Sequence, residues 1–298
     1  MITPLVAGRA RPFQHELVAV LRRAGFEIHS ADLTELALDN QPACRRVLAR
    51  SRADIVIDCS GADDVEPGEP LPTPEQLAAC ENLAVAAAQE GVHSVLVSSA
   101  CVFGNEGRGP RLESDPPAPE TPLAAALVAV ERAAARANPD HTIVRSSRLY
   151  GRTWNSPFEE LITSARANQT LFVERRRISP PTYGPHLASV LVSLVRRPCH
   201  GIIHRTAGGV CDELELARSV LGLAGLSCVV EPGGEPGPHR AEEPVFLASC
   251  RDEVPAIPHW RIGLRTCALE RNRSLHDTTL RVPVRVDLGR ARSQARRN

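Results

Sequence analysis

The stretch VHSVLVSSACVFG, residues 92–104, is an apolar run that leads into two serines. Short runs rich in β-branched residues are typical of buried strands. Similar runs occur at residues 53–59 (ADIVIDC) and 141–146 (HTIVRS). Segments rich in alanine and leucine, residues 74–90 and 122–138, separate the three runs and predict helices. Strands that alternate with helices at this spacing predict βαβ units and a parallel sheet.

The N-terminal segment continues the alternation. Residues 4–7 predict a first strand, residues 13–24 an amphipathic helix and residues 26–30 a second strand. We therefore expect an α/β fold with a doubly wound, Rossmann-type parallel sheet.

The sequence divides into three parts. We expect residues 1–150 to form a nucleotide-binding domain, and residues 151–275 to form mainly a smaller substrate-binding domain with segments that return to the sheet. Residues 276–298 form a basic tail with six arginines and two aspartates. The stretch 104–122 is rich in glycine, proline and acids, and loops of that length in compact enzymes often cover a site.

The composition excludes several classes of protein. The formal net charge is zero, whereas nucleic-acid-binding domains usually carry a basic excess, so we expect no nucleic-acid partner. Long apolar runs and the signature of a signal peptide are missing, so we expect a cytoplasmic protein without membrane contact. Nine cysteines without a CxxC pair predict scattered free thiols, and we expect neither a disulfide framework nor a metal site.

The chain contains no lysine, so all 35 basic residues are arginine. A Schiff-base lysine, a phosphate-loop lysine and a lysine-assisted tyrosine are therefore excluded. Only Tyr150 and Tyr183 carry a phenol. A catalytic phenol in this protein is therefore one of these two.

Residues 95–104 (VLVSSACVFG) resemble the strand-and-serine segment of dTDP-4-dehydrorhamnose reductases, a branch of the extended short-chain dehydrogenases. Further segments agree with this family in the same order: residues 60–66, 143–151, 181–188, 201–204 and 257–261. The resemblance covers roughly residues 1–272. It implies a doubly wound sheet that binds NADPH, and a smaller C-terminal domain that binds a nucleotide sugar.

The dinucleotide loop departs from the family pattern GxxGxxG. Gly8 is retained, but Arg11 and Gln14 occupy the other two glycine positions, and we expect Gln14 to crowd the packing of helix on strand. Arg9 and Arg11 flank the start of the helix, where two guanidinium groups can bind a pyrophosphate or the 2′-phosphate of NADP. The alternative is that both are solvated surface charges. Asp32, after the second strand, is a candidate partner of the ribose or adenine, or a simple turn residue. The resemblance also implies cofactor contacts by the remaining candidates, Ser60, Arg145 and Ser147.

The catalytic residues depart further. Ser99 falls on the family's serine or threonine, which binds the reacting carbonyl, and Ser98 precedes it. The alternative is that both serines only satisfy backbone groups at the strand end. The family's tyrosine and lysine, which deliver the proton and hold the nicotinamide ribose, correspond to Leu123 and Leu127. Leucine can do neither.

The substrate side differs from the family as well. The resemblance places Cys101, Phe103 and Tyr183 beside the substrate, with Arg148 in place of a tryptophan and His186 in place of an aspartate. Arginines suit an anionic, phenolic or carboxylated ligand. The alternative is that arginine simply fills every basic position of a chain without lysine.

Three functions remain open on this evidence. Loss of a general acid removes about 10²–10⁴-fold in rate, roughly 3–5 kcal/mol, whereas positioning of the reactants contributes roughly 7–11 kcal/mol. An NADPH-dependent ketoreductase that takes its proton from water, Ser99 or its substrate is therefore feasible. In lacking the tyrosine–lysine pair, the chain is similar to atypical short-chain ketoreductases of aromatic-polyketide (angucyclinone-type) antibiotic pathways. The expected substrate is therefore a small secondary metabolite. The alternatives are a non-catalytic nucleotide-binding subunit with a protein partner, and a non-redox cyclase or isomerase.

Overall fold

A six-stranded parallel sheet forms the centre of the protein. The computed structural model describes residues 2–8, 12–32, 40–62, 74–104, 109–173, 177–233 and 245–276. The sheet contains β1 (Pro4–Gly8), β2 (His29–Asp32), β3 (Ile55–Asp58), β4 (His93–Ser99), β5 (His141–Ser146) and β10 (Gly201–His204), in the spatial order β2-β1-β3-β4-β5-β10.

Helices and short strands complete the described part of the chain. The helices are α1 (Pro12–Arg23), α2 (Gln41–Ser51), α3 (Pro74–Gln89), α4 (Pro122–Ala137), α5 (Pro157–Ala167), α6 (Gly184–Arg196), α7 (Glu213–Ala224) and α8 (Trp260–His276). The short strands are β6 (Leu149–Tyr150), β7 (Thr170–Val173), β8 (Arg177–Ile178), β9 (Thr182–Tyr183), β11 (Ala207–Gly208), β12 (Cys211–Asp212), β13 (Val229–Pro232) and β14 (Ile257–His259). None of the helices among these residues is long and apolar enough to cross a membrane.

Helices cover both faces of the sheet, which explains why its strands are apolar throughout. Side chains alternate between the two faces of a strand. In β4, Val95 and Val97 join the cluster formed with α1 and α6, whereas Leu96 joins the cluster formed with α2, α3 and α4. The predicted doubly wound α/β fold is therefore confirmed.

The order of the strands creates a switch point beside β1. The chain runs from β1 to β2 on one side and then returns to β3 on the other side of β1. In doubly wound sheets, ligands bind at the carboxyl ends of the strands that flank such a point. The fold thus points to the carboxyl ends of β1 and β3 as a ligand site.

Two details differ from the sequence predictions. The second strand begins at His29 and not at residue 26, because Phe26 packs against the core in the turn after α1. Helix α2 was not predicted, because its sequence contains three arginines and only a narrow apolar face. It is nevertheless capped by Asn40, whose side chain accepts a hydrogen bond from Ala43 N, and it buries one narrow face through Leu48.

The C-terminal half contributes to two layers. Helix α6 packs against α1, and β10 extends the central sheet beyond β5. A smaller cluster packs α5 and α7 against the parallel pair of β7 and β13, around Leu171, Leu214 and Leu221. The predicted basic tail, apart from the end of α8, lies outside the described residues.

Candidate functional site

The carboxyl edge of the sheet gathers several of the residues singled out in the sequence. Gly8 ends β1, Asp32 ends β2 and Ser99 ends β4. Ser147 directly follows β5, and Ser60 lies two residues after the end of β3. Because the strands are parallel, all five positions lie along one edge, which the strand order alone identifies as a ligand site.

Gln14 occupies the space beside Gly8, where the dinucleotide pattern has its third glycine. Its side chain is buried and lies so close that a Cβ added to Gly8 would be 2.5 Å from Gln14 Oε1. Gln14 Nε2 donates to Ala31 O at 3.1 Å, at the end of β2. The expected crowding of helix against strand does not occur, because Gly8 has no side chain and leaves space for Gln14. The Gln14 amide connects α1 to β2 by its hydrogen bond.

Two other positions of the predicted cofactor site can be placed only in part. Asp32 pairs with Gly8 in the β1–β2 register, and its side chain lies outside the described residues. Arg9 and Arg11 also lie outside them. Their assignment as a phosphate clamp stays a prediction from the sequence.

Two buried hydroxyl groups at this edge have no hydrogen-bond partner among the described residues. They are Ser60 Oγ, after β3, and Ser146 Oγ, at the end of β5. An unpaired buried polar group costs about 1–3 kcal/mol, so such groups commonly mark a ligand or water site. Beside Ser60, a Cβ added to Gly61 would lie 2.8 Å from Val97 O, so β3 and β4 approach each other closely here.

The paired serines Ser98 and Ser99 lie in different surroundings. Ser98 Oγ donates to Glu131 Oε1 at 2.7 Å in the protein interior. Ser99 Oγ accepts from Cys101 N at 3.3 Å, because Ser99 caps a short 3-10 turn that begins at Ala100. Of the two predicted catalytic serines, Ser99 is the one that lies at the strand end.

A buried ion pair lies beneath the edge. Arg145 donates to both carboxylate oxygens of Glu131, at 3.0 and 2.7 Å, and both side chains are almost fully buried. The guanidinium also lies 4.9 Å above the ring of Phe103, and its Nη1 is 3.5 Å from His204 Nε2. Arg145 and Phe103, predicted to contact ligands, thus pack against each other inside the protein.

Residues 104–122, which the sequence predicts to cover a site, are held by hydrogen bonds in the part that the structure describes. Glu113, in the loop before α4, accepts from His204 N at 3.1 Å and from Cys250 N at 3.0 Å. His204 Nδ1 lies 3.1 Å from Arg111 O and 3.0 Å from Ala248 O. These contacts tie residues 109–121 to the end of β10.

Leu123 and Leu127, which the sequence predicts at the positions of the family's tyrosine and lysine, lie in an apolar cluster. Leu127 is buried, and Leu123 packs against the same cluster, which includes Val102 and Val128. Leu127 Cδ2 would lie 3.0 Å from a Cβ at Gly61, next to Ser60. Leu127 therefore adds apolar surface beside the unpaired hydroxyl of Ser60 and offers no proton.

Arg148 combines exposure with an unusual backbone. Its φ is 44°, in the left-handed region, although the residue is not glycine. Such a conformation costs of order 1–3 kcal/mol and is most common at functional sites. Arg148 O accepts from Thr182 N at 2.9 Å, which holds β6 and β9 in register while the arginine side chain stays exposed.

The other predicted substrate residues lie farther inside. Tyr183 OH donates to Glu270 Oε2 at 2.7 Å, and burial together with this carboxylate raises the pKa of Tyr183. Its ring contacts Tyr150, whose pKa is also raised by burial, and the half-buried His186, whose pKa burial lowers. Cys101 is half-buried beside Ser99. Both phenols are therefore poor proton donors packed against α8.

Two cavities flank this arrangement. One of about 280 Å³ opens beside the ends of β5 and β10, lined among others by Ser147, His204, Arg205, Phe246 and Ser249. A larger groove of about 1020 Å³ runs between α7 and α8, lined among others by Asp212, Glu215, Arg218, Arg261 and Arg265. The smaller cavity borders the carboxyl edge directly.

Sequence reasoning missed some residues of this region. The sequence does not single out Glu131, His204 or the hydroxyl of Ser146 as parts of the site. A buried glutamate facing an arginine across two elements gives no local signal, because the two residues are brought together only by the fold. A polar residue within an otherwise apolar helix face, as Glu131 is in α4, was the one hint available.

Comparison with known proteins identifies the family. The profile of the RmlD substrate binding domain matches residues 3–267. The spore coat polysaccharide biosynthesis protein SpsK of Bacillus subtilis is 26% identical over 280 residues, which cover 91% of this chain and 99% of that protein. The dTDP-4-keto-6-deoxy-D-glucose reductase of Streptomyces niveus is 27% identical over 225 residues, covering 74% of this chain and 78% of the reductase.

Solved structures agree in fold. The dTDP-4-dehydrorhamnose reductase of Bacillus anthracis, solved in complex with NADP, superposes with a TM-score of 0.76 at 22% identity. The match covers 91% of this chain and 99% of that one. At this identity the likeness supports the fold, and the profile match over most of the chain decides the family. The chain belongs to the RmlD substrate binding domain family.

Proposed function

We propose that this protein is an NADPH-dependent ketoreductase that reduces a carbonyl group of a secondary metabolite without a catalytic tyrosine. The observation that carries the proposal is the carboxyl edge, where Ser99 is retained while Leu123 and Leu127 replace the tyrosine and lysine. Family membership and relatives named as keto-sugar reductases support the reaction class.

The residues at the edge fit a dinucleotide. The buried hydroxyl of Ser60, which has no partner among the described residues, lies after β3, beside the switch point. Arg9 and Arg11 follow Gly8 and supply charge for the phosphates, with a preference for the 2′-phosphate of NADP. When bound, NADPH supplies the hydride.

Ser99 is the side chain of this chain that is assigned to the carbonyl. The Ser99 hydroxyl accepts from Cys101 N and is held in place by the 3-10 turn. In the proposed reaction it would bind the carbonyl oxygen of the substrate. A serine hydroxyl is a weak acid, so it orients the carbonyl, and the final proton comes through it from water or from an acidic group of the substrate. Leu127 and Val102 keep the surroundings apolar, which strengthens this hydrogen bond.

The substrate class follows from charge. Arg148 is exposed in the short connection between β5 and β6. Guanidinium groups bind phosphate, carboxylate and phenolate groups well. A keto sugar linked to a nucleoside diphosphate and a phenolic ketone both meet this requirement, and the named activities of the Streptomyces relatives favour testing the sugar first.

The test has two stages. Calorimetric titration of the purified protein with NADPH and with NADH measures binding, and saturable binding with NADPH preferred is expected. Consumption of NADPH, followed by absorbance, is then measured with a dTDP-4-keto-6-deoxy sugar and with a phenolic polyketide ketone. Transfer of deuterium from labelled NADPH to the product would prove hydride transfer.

Variants of Ser99 test the mechanism. Ser99→Ala is expected to lower kcat about 10–100-fold at unchanged NADPH affinity, because only a transition-state hydrogen bond is lost. Ser99→Thr keeps the hydroxyl and should retain most of the activity. Equal activity of the alanine variant and the wild type would remove Ser99 from the mechanism.

A non-catalytic nucleotide-binding subunit is the second candidate, and the apolar packing of Leu123 and Leu127 favours it. It predicts NADPH binding without turnover on any ketone. Absence of binding to either nucleotide would contradict both proposals and favour a non-redox enzyme, consistent with Gln14 filling the space beside Gly8.

A further inference from the structure

The opposite edge of the sheet carries a cluster that the proposed reaction does not use. His93 begins β4, while Asp140 and His200 directly precede β5 and β10. These three strands are neighbours in the sheet, so their amino ends bring the three side chains together. His200 Nδ1 lies 2.8 Å and His93 Nδ1 lies 3.3 Å from the same oxygen, Asp140 Oδ1.

The hydrogen bonds of Thr142 determine which nitrogen of His93 carries hydrogen. The Thr142 hydroxyl donates its only hydrogen to Cys199 O. His93 Nε2 lies 2.9 Å from Thr142 Oγ1, and with the Thr142 hydroxyl directed at Cys199 O we assign Nε2 as the donor of that bond. In the neutral ring, Nδ1 then presents a lone pair towards the Asp140 carboxylate.

Two lone pairs facing each other at 3.3 Å repel unless a positive species lies near them. A proton would make His93 a cation, although the side chain is only 7% exposed and burial opposes charge. A metal ion leaves the ring neutral and uses the lone pair directly. The hydrogen bond from Nε2 to Thr142 is also the kind of second contact that orients histidine ligands in metal sites.

We propose that His93, Asp140 and His200 bind a divalent transition-metal ion, for which zinc is the probe. Imidazole nitrogen and carboxylate oxygen are zinc ligands at about 2.0–2.2 Å, and tetrahedral geometry then separates neighbouring ligand atoms by about 3.4 Å. The observed separations are 2.8 and 3.3 Å, and all three ligand atoms lie within 4.8 Å of one another. The exposed ring of His200 can move by the small amount required, and water completes the coordination.

The ion would act on stability and not on the reaction. Its ligands come from three chain segments at the amino ends of the strands, whereas Ser99 and Ser60 lie at the carboxyl ends. An ion that binds only where all three segments meet stabilises the folded state by mass action. The site therefore acts as a clamp across β4, β5 and β10.

The test uses the full chain without a histidine tag, stripped with a chelator. Calorimetric titration with Zn²⁺ should show one ion per chain with a Kd of about 1 μM or lower, and the Tm should rise by about 3–6 °C at saturation. His200→Ala and Asp140→Asn should each weaken binding at least about 10-fold. His15→Ala, which removes an exposed histidine of α1, should leave the affinity unchanged.

Cysteine is the main competing ligand, and Cys199 is adjacent in sequence to His200. Cys199→Ala should retain the affinity, and Co²⁺ bound in place of zinc should show no sulfur-to-metal charge-transfer band. Loss of binding in Cys199→Ala with retention in His200→Ala would overturn the proposal, as would the absence of saturable binding. None of these measurements needs NADPH, so their outcome is independent of the proposed activity.

Discussion

The two layers of the carboxyl edge are built differently. The lower layer, formed by Ser98, Glu131, Arg145 and His204, is buried, and each of these side chains has a partner. The upper layer is formed by Ser60, Ser146 and Arg148: the two hydroxyls have no partner in the part of the chain that the structure describes, and Arg148 has a positive φ. The lower layer holds the strand ends in place. The upper layer contains polar groups and a strained backbone conformation that raise the free energy of the unliganded protein, and a ligand can form the missing hydrogen bonds.

Removal of one charge from the lower layer should lower the free energy of unfolding more than any other change in either layer. Arg145→Ala leaves Glu131 as a buried carboxylate without its counter-ion, and breaking such a pair costs about 3–5 kcal/mol. Urea unfolding measures this loss. The double variant Arg145→Met with Glu131→Gln removes both charges and should recover much of the stability, and equal instability of the two variants would contradict the account.

Replacing serine with alanine should change the free energy of unfolding in opposite directions in the two layers. Ser98→Ala removes the donor to Glu131 and should destabilise the protein by about 1–3 kcal/mol. Ser146→Ala removes an unpaired buried hydroxyl and should be neutral or stabilising by up to about 1 kcal/mol. Chemical denaturation of both variants compares them directly, and a destabilised Ser146→Ala would show that this hydroxyl has a partner in solution.

Arg148 tests whether the strained residue serves the ligand. Arg148→Asn tolerates positive φ and removes the guanidinium, so KM should rise about 10-fold with little change in Tm. Arg148→Gly removes the strain of the positive φ and should raise Tm. It should weaken substrate binding as much as Arg148→Asn does. If both variants keep the wild-type KM, the arginine does not contact the substrate.

The mildest test changes only pH. Burial lowers the pKa of His204, so the folded protein disfavours its protonation relative to the unfolded chain. Stability from this residue is present above the usual histidine pKa and is lost as the pH falls through the folded value. Free energies of unfolding measured between pH 8 and pH 5 should fall less in His204→Gln than in the wild type, and parallel curves would argue against this role.

The amino-acid sequence by itself determined the fold class and the absence of any lysine, and it predicted leucines at the positions of the family's tyrosine and lysine. Those conclusions depend on local periodicity and on residue identity, which are visible along the chain. The helix at Gln41–Ser51 escaped the pattern because its buried face is narrow and its exposed face is charged.

The tertiary structure alone decided how side chains are paired. Ser98 and Ser99 are adjacent in sequence, yet one donates to Glu131 on α4 and the other caps a turn. Likewise His93, Asp140 and His200 are far apart in sequence and meet only because β4, β5 and β10 are neighbours in the sheet. Which polar groups form hydrogen bonds depends on how close segments that are far apart in sequence come in space. Only the packing of strands and helices determines those distances.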